Sequence, residues 1–139
     1  MKYITEESVY VGFKKDDGPE KAERLRREFY VEIDGRLTWW VMQLAKELIA
    51  KFGKGIVVTC GTRTTSENKD VQGIKDSSHL RGDALDLRSH IYTAEEIAYI
   101  VSRTKQVWGP VMHILVHNGG TGPHIHINVN WQYSLKYTA

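Results

Sequence analysis

Two short segments concentrate side chains able to bind a metal or move a proton. Ser77-Ser-His79-Leu-Arg-Gly82-Asp-Ala84-Leu-Asp86 sets a histidine and a carboxylate seven residues apart, and Pro123-His124-Ile-His126-Ile-Asn128 adds two more imidazoles. In a strand, residues i and i+2 share a face, so His124 and His126 point the same way, their Cβ atoms roughly 6–7 Å apart at ~3.3 Å per residue. One of two such neighbours can ligate a metal while the other stands beside it. Gly82 permits a turn between His79 and the following strand, and Ala84, on the face of Asp86, leaves room for a small ion. Two histidines, one aspartate and a fourth position left to water form the layout of a catalytic zinc site. Zinc there lowers the pKa of water toward ~7 and polarises a carbonyl. A non-haem iron facial triad uses the same ligand types, but such enzymes typically place the carboxylate two residues after the first histidine, and the longer gap here argues against iron. Ordinary packing and turn-capping roles account for each residue alone, and less well for all of them together with Gly82 and Ala84.

The elements that must hold these groups follow from the surrounding pattern. Ala84-Leu-Asp-Leu-Arg88 alternates at period two, so Leu85 and Leu87 can face a core while Asp86 faces away. Two more strands are expected at about 111–117 and 124–130, joined by Asn118-Gly-Gly-Thr-Gly-Pro123. Gly55-Ile-Val-Val-Thr-Cys60 is a β-branched run suited to a buried strand, and residues 8–13 suit a short one. Residues 61–78 are polar, and loops of that length in compact domains are usually functional or mobile. Pro19 after Asp16-Asp17-Gly18 marks a first helical position, with Ala22, Leu25 and Phe29 following at helical spacing. Val41, Leu44, Leu48 and Phe52 form the stripe of a stronger helix over Leu37 to Phe52, ended by Gly53. Thr93 with Glu96 is a capping box that opens a helix stopped by Gly109-Pro110. This order predicts an α+β fold with a small antiparallel sheet.

Composition bounds the function classes. The chain has 139 residues, with 41% hydrophobic and 26% charged, values of an ordinary globular domain rather than a disordered or collagenous chain. Net charge is +2, with no basic stripe or aromatic–basic interleaving, which excludes a dedicated nucleic-acid module. Cys60 is the only cysteine, so neither an intrachain disulfide nor a CxxC metal site is available. In its β-branched run it reads as a small packed hydrophobe. The start MKYITEESVYVGFKK lacks the apolar core of a secretory signal, and no stretch approaches the ~20 apolar residues of a membrane span. The expectation is a chain made and kept in a reducing cytoplasm. Without an internal repeat or linker-like run, residues 1–139 read as one domain. Trp39, Trp40, Trp108 and Trp131 read as core rather than groove, Arg81 and Arg88 as solvated flanks, and His90 as surface. His113 shares a strand face with His117 and so has a path toward the site.

The pattern S-x-H-x-x-G-x-A-x-D, followed tens of residues later by H-x-H, resembles the signature of zinc D-Ala-D-Ala carboxypeptidases and L-Ala-D-Glu endopeptidases. Ser77, His79, Gly82, Ala84 and Asp86 fill every defined position of the first motif. The resemblance covers residues 55–130 and implies the fold shared with the hedgehog signalling domain, a small antiparallel sheet with helices packed on one face. It implies Zn²⁺ held by His79, Asp86 and His126, the second histidine of the pair. Cys60-Gly-Thr-Arg63-Thr resembles the family's G-Y-R-S segment, which implies that Arg63 binds substrate or stabilises developing charge, with Ser77 also on the substrate side. Members usually carry a glutamate general base a few residues before the last ligand, yet residues 111–126 contain no Glu or Asp. His117 stands where that glutamate is expected, and some peptidoglycan endopeptidases of this fold use histidines around the zinc. His117 and His124, with an ordinary pKa of ~6.5, are therefore the candidates for proton transfer. The function implied is hydrolysis of a peptide bond in the stem peptides of bacterial peptidoglycan. Small size and the lack of a signal or wall-binding segment resemble a phage endolysin held in the cytoplasm until a holin opens the membrane. The alternative is a zinc-containing binding module or virion component on the same fold, without catalysis.

Overall fold

The computed structural model describes residues 10–62, 82–117 and 123–135. Among them the chain runs β1 (Val11–Phe13), α1 (Pro19–Arg27), a π turn (Glu28–Glu32), α2 (Gly35–Phe52), β2 (Ile56–Cys60), β3 (Ala84–Arg88), α3 (Ala94–Trp108), β4 (Met112–His117), β5 (His124–Val129) and a 3-10 turn (Trp131–Tyr133). The expected start and stop residues act as such. Pro19 opens α1, and Asp34 caps α2 by accepting the Arg36 N–H at 2.9 Å. Thr93 and Glu96 close the reciprocal capping box of α3.

The strands form one five-stranded sheet in the order β1-β2-β3-β5-β4. All neighbours are antiparallel except β1 and β2, which are parallel. The expected antiparallel sheet is therefore correct for the strands that carry the candidate ligands, while β1 makes the whole sheet mixed. Parallel neighbours need a long crossover, and here α1, the π turn and α2 supply it. The π turn is closed by the Ile33 N–H donating to the Glu28 carbonyl at 2.9 Å, five residues back.

Strand alternation sends Leu85, Leu87, Ile125, Ile127 and Val129 to one face. There they join Leu37, Trp40, Val41, Leu44 and Leu48 of α2 and Ile100 of α3 in a single buried cluster. Each fully buried side chain of this size is worth roughly 1.5–3 kcal/mol over an exposed one, so this face anchors the fold. Trp40 lies within it and its indole N–H donates to the Thr104 hydroxyl at 3.0 Å, tying α2 to α3. Trp39, off the buried stripe by one position, is 51% exposed and Trp131 is 56% exposed, so the core reading of the tryptophans holds for Trp40 and fails for these two. Trp108 is half-buried and packs edge-on against Trp39. Among the described residues no helix is long and apolar enough to cross a membrane.

Candidate functional site

The sheet face turned away from the helices carries polar side chains. Asp86 is the cross-strand partner of His126, and Arg88 of His124. On the other side of β5, His117 partners His124 and Leu115 partners His126. Cross-strand partners lie side by side on one face. Register therefore brings Asp86, His126, His124 and His117 together from three strands.

Their geometry is tight. The Asp86 carboxylate, 8% exposed, accepts a hydrogen bond from His126 Nδ1 at 3.0 Å through Oδ1. His124 Nε2 stands 3.7 Å from Oδ2, an electrostatic contact rather than a hydrogen bond. The rings of His117 and His124 meet edge to face with centroids 3.9 Å apart, and His117 lies 6.4 Å from the His126 ring. Burial first, then the neighbouring His124, hold His117 below the usual imidazole range; His126 acts in the same direction, against an upward pull from Asp86. A histidine so placed is neutral near pH 7 and able to accept a proton.

The supporting elements come from both flanks. The Thr59 hydroxyl donates to the Asp86 carbonyl at 3.3 Å, which fixes the ligand strand against β2. The register of β2 on β3 shifts between Val58 and Cys60, placing Cys60 opposite Asp86. Such bulges re-aim side chains near active sites, and this one brings the half-buried thiol beside the carboxylate's strand position. Sequence reasoning missed that placement because a bulge leaves no mark in a β-branched run. After Cys60 the chain passes Gly61, where a Cβ would sit 2.9 Å from Glu28 Oε1 and 3.3 Å from Leu25 Cδ1, so a larger residue would push these two side chains aside. Gly82 enters β3 in the left-handed region, at φ 73°, the turn that the sequence demanded of it.

The other expected residues sort plainly. Arg63, Ser77 and His79 lie outside the described residues, as does Arg81. His113 partners Asn128, four residues along β4 from His117 and hence ~13 Å away, so it does not join the group. Arg88 is half-buried and pairs with Asp16 at 3.5 Å rather than standing in solvent. His90 is exposed, as expected.

Among the described residues no three His, Cys, Asp or Glu side chains form a metal-binding set by themselves. Asp86 and His126 supply two donors, and their chemistry suits zinc. Two ligand atoms each ~2.0–2.1 Å from a tetrahedral ion stand roughly 3.3 Å apart. The separation of 3.0 Å between His126 Nδ1 and Asp86 Oδ1 needs only a few tenths of an ångström of opening to match. The proton now shared between them would leave on metal uptake. The pair fits the ion.

Residues 21–128 match the family model described as Peptidase M15. The match starts upstream of the segment that carries the sequence motifs and takes in α1 from residue 21 on and all of α2, so these helices are part of the family pattern. No curated protein and no solved structure matches the chain.

Proposed function

Because the chain belongs to the Peptidase M15 family, the zinc D-Ala-D-Ala carboxypeptidase family with the hedgehog/DD-peptidase fold, we propose that it hydrolyses a peptide bond in the stem peptides of bacterial peptidoglycan. The observation that carries this reading is the Asp86–His126 pair, set side by side by the β3–β5 register on the polar face of the sheet. In the proposed site His79 joins them as the third protein ligand. Zinc bound there supplies Lewis acidity for the scissile carbonyl and activates water near neutral pH.

The chain's own residues do the rest. His117, held neutral by burial and its histidine neighbours, accepts a proton as water attacks. His124, in ring contact with His117 and 3.7 Å from Asp86, relays or returns a proton to the leaving amine, the second task of any peptide hydrolysis. Arg63 orients the substrate carboxylate or the developing oxyanion, with Ser77 beside the substrate. All of this takes place within a single domain over residues 1–139. The setting we propose is a phage endolysin, stored inside the cell and released to the wall.

Mass spectrometry of fragments released from purified peptidoglycan tests the reading, with zinc-loaded and chelated protein in parallel. New peptide termini that appear only with zinc are expected, and they identify the bond cut. The absence of an acidic residue over 111–126 favours the non-catalytic binding module as second reading. Sedimentation with peptidoglycan and no fragments would establish that module and overturn the peptidase.

A further inference from the structure

We propose that the segment after β5 is a clasp, with Ser134 and Asp83 acting as positioning residues for the metal ligands. Asp83 is fully buried, 0% exposed, at the entry to β3. It stands between two proposed ligands in the chain, four residues after His79 and three before Asp86. The Ser134 hydroxyl donates to its carboxylate Oδ2.

The main chain around Asp83 is held from two further directions. The Asp34 N–H donates to the Gly82 carbonyl at 3.0 Å, and the Val129 N–H donates to the Asp83 carbonyl at 2.8 Å. Arg36 links these anchors. Its guanidinium forms a forked pair with Asp34 at 2.7 and 3.0 Å and donates to the Tyr133 carbonyl at 2.8 Å. The 3-10 turn places Ser134 for this contact, with the Tyr133 N–H on the Asn130 carbonyl and the Asn130 N–H on the Val111 carbonyl.

A carboxylate removed from water is costly unless it is hydrogen-bonded and balanced by charge. Here a hydroxyl from a segment beyond residue 128, where the family match ends, supplies a hydrogen bond to one carboxylate oxygen, and the Arg36 guanidinium supplies nearby positive charge. The clasp therefore connects the end of the described chain to the turn that opens β3, the strand of Asp86. Fixing that turn lowers the ordering cost of presenting Asp86 to an ion. Interactions that orient ligands in this way typically alter metal affinity by 10–100-fold when removed.

The proposal rests on the metal-site reading above, and the experiment separates the two. Amide hydrogen exchange on the metal-free protein compares wild type with Ser134→Ala, Ser134→Thr and Asp83→Asn, with circular dichroism to confirm folding. The Val129 and Asp34 amides report the two main-chain anchors directly. In Ser134→Ala and Asp83→Asn they should exchange about tenfold faster or more, while the Ile100 amide in α3 stays unchanged; Ser134→Thr, which keeps the hydroxyl, should behave as wild type. Chelator competition should then show zinc affinity weakened on the order of tenfold in the first two variants and restored in the third. Unchanged exchange at Val129 and Asp34 overturns the clasp. Faster exchange with zinc affinity within about twofold of wild type leaves Ser134 a purely structural residue and overturns the positioning role. A wild-type chain that takes up no zinc overturns the metal-site reading instead, and the exchange result still decides the clasp.

Discussion

Replacing Asp86 by asparagine keeps the shape of the side chain and removes its charge, so it isolates what the carboxylate does. In the metal-free protein Asp86 accepts the His126 N–H at 3.0 Å. Exchanging a charge-assisted bond for a neutral one costs about 1 kcal/mol. At ~2.1 cal/mol/K per residue, the 139-residue chain has an unfolding entropy of about 0.29 kcal/mol/K, so each kcal/mol moves Tm by about 3.4 °C. Asp86→Asn without metal should therefore melt about 3 °C below wild type. Zinc changes the comparison. At free zinc 100 times Kd, wild type gains ~2.7 kcal/mol, a rise of about 9 °C. If loss of the anionic ligand weakens binding 100-fold or more, the same zinc concentration adds at most ~0.4 kcal/mol to the variant, about 1.4 °C. Thermal melts followed by circular dichroism, in chelator and in zinc, give all four values. A zinc-dependent rise in Asp86→Asn within about 2 °C of the wild-type rise would refute the assignment of Asp86 as a ligand.

Other expectations follow from the same geometry. His117→Ala and His124→Ala should keep zinc and lose roughly 10²–10⁴ in hydrolysis rate; near-full rates in both exclude them as the proton-transfer groups. Arg63→Ala should lower kcat/KM by about 10²–10³, and an unchanged value makes it a solvated arginine. Ile127 is fully buried between its partners Leu85 and Ile114, so Ile127→Ala should cost about 2–5 kcal/mol in urea denaturation while the zinc response survives; a cost below about 1 kcal/mol contradicts the packing. Glu96 is held below the usual carboxylate range first by the Lys54 ammonium at 2.7 Å and then by the Thr93 N–H. A depressed folded pKa adds stability above the unfolded value, lost as pH falls through the folded one. Glu96→Gln should thus be less stable than wild type at pH 7, with the gap closing as pH drops below the ordinary ~4.3 of glutamate; a gap constant from pH 7 to 3 refutes the linkage.

Local signals carried much of this molecule. Period-two alternation located β3 and β5, the stripe from Val41 to Phe52 located α2, and Thr93 with Glu96 marked the start of α3. The pairing of Asp86 with His126 rather than His124 follows from the register between β3 and β5, which no single segment specifies. The family resemblance, not strand periodicity, singled out His126. Non-local features stayed hidden for the same reason. β1 pairs with β2 only because two helices and a π turn bring the chain back. The bulge that sets Cys60 against Asp86 depends on the partner strand. The burial of Asp83 has no local mark either, because its hydrogen-bond donor Ser134 lies 51 residues later.

The two-sided pairing of β5 also limits how this gene can vary. Every residue from His124 to Val129 is matched to β4, and those from His124 to Asn128 are matched to β3 as well. Point substitutions on one face alter chemistry and on the other alter packing, so selection can tune the two separately. A single codon inserted ahead of His126 would do both at once. Slipping a strand by one residue turns every side chain to the opposite face, driving imidazoles into the helix-facing core and isoleucines onto the reactive surface. Within this strand, lineages can diverge by replacement but not by length.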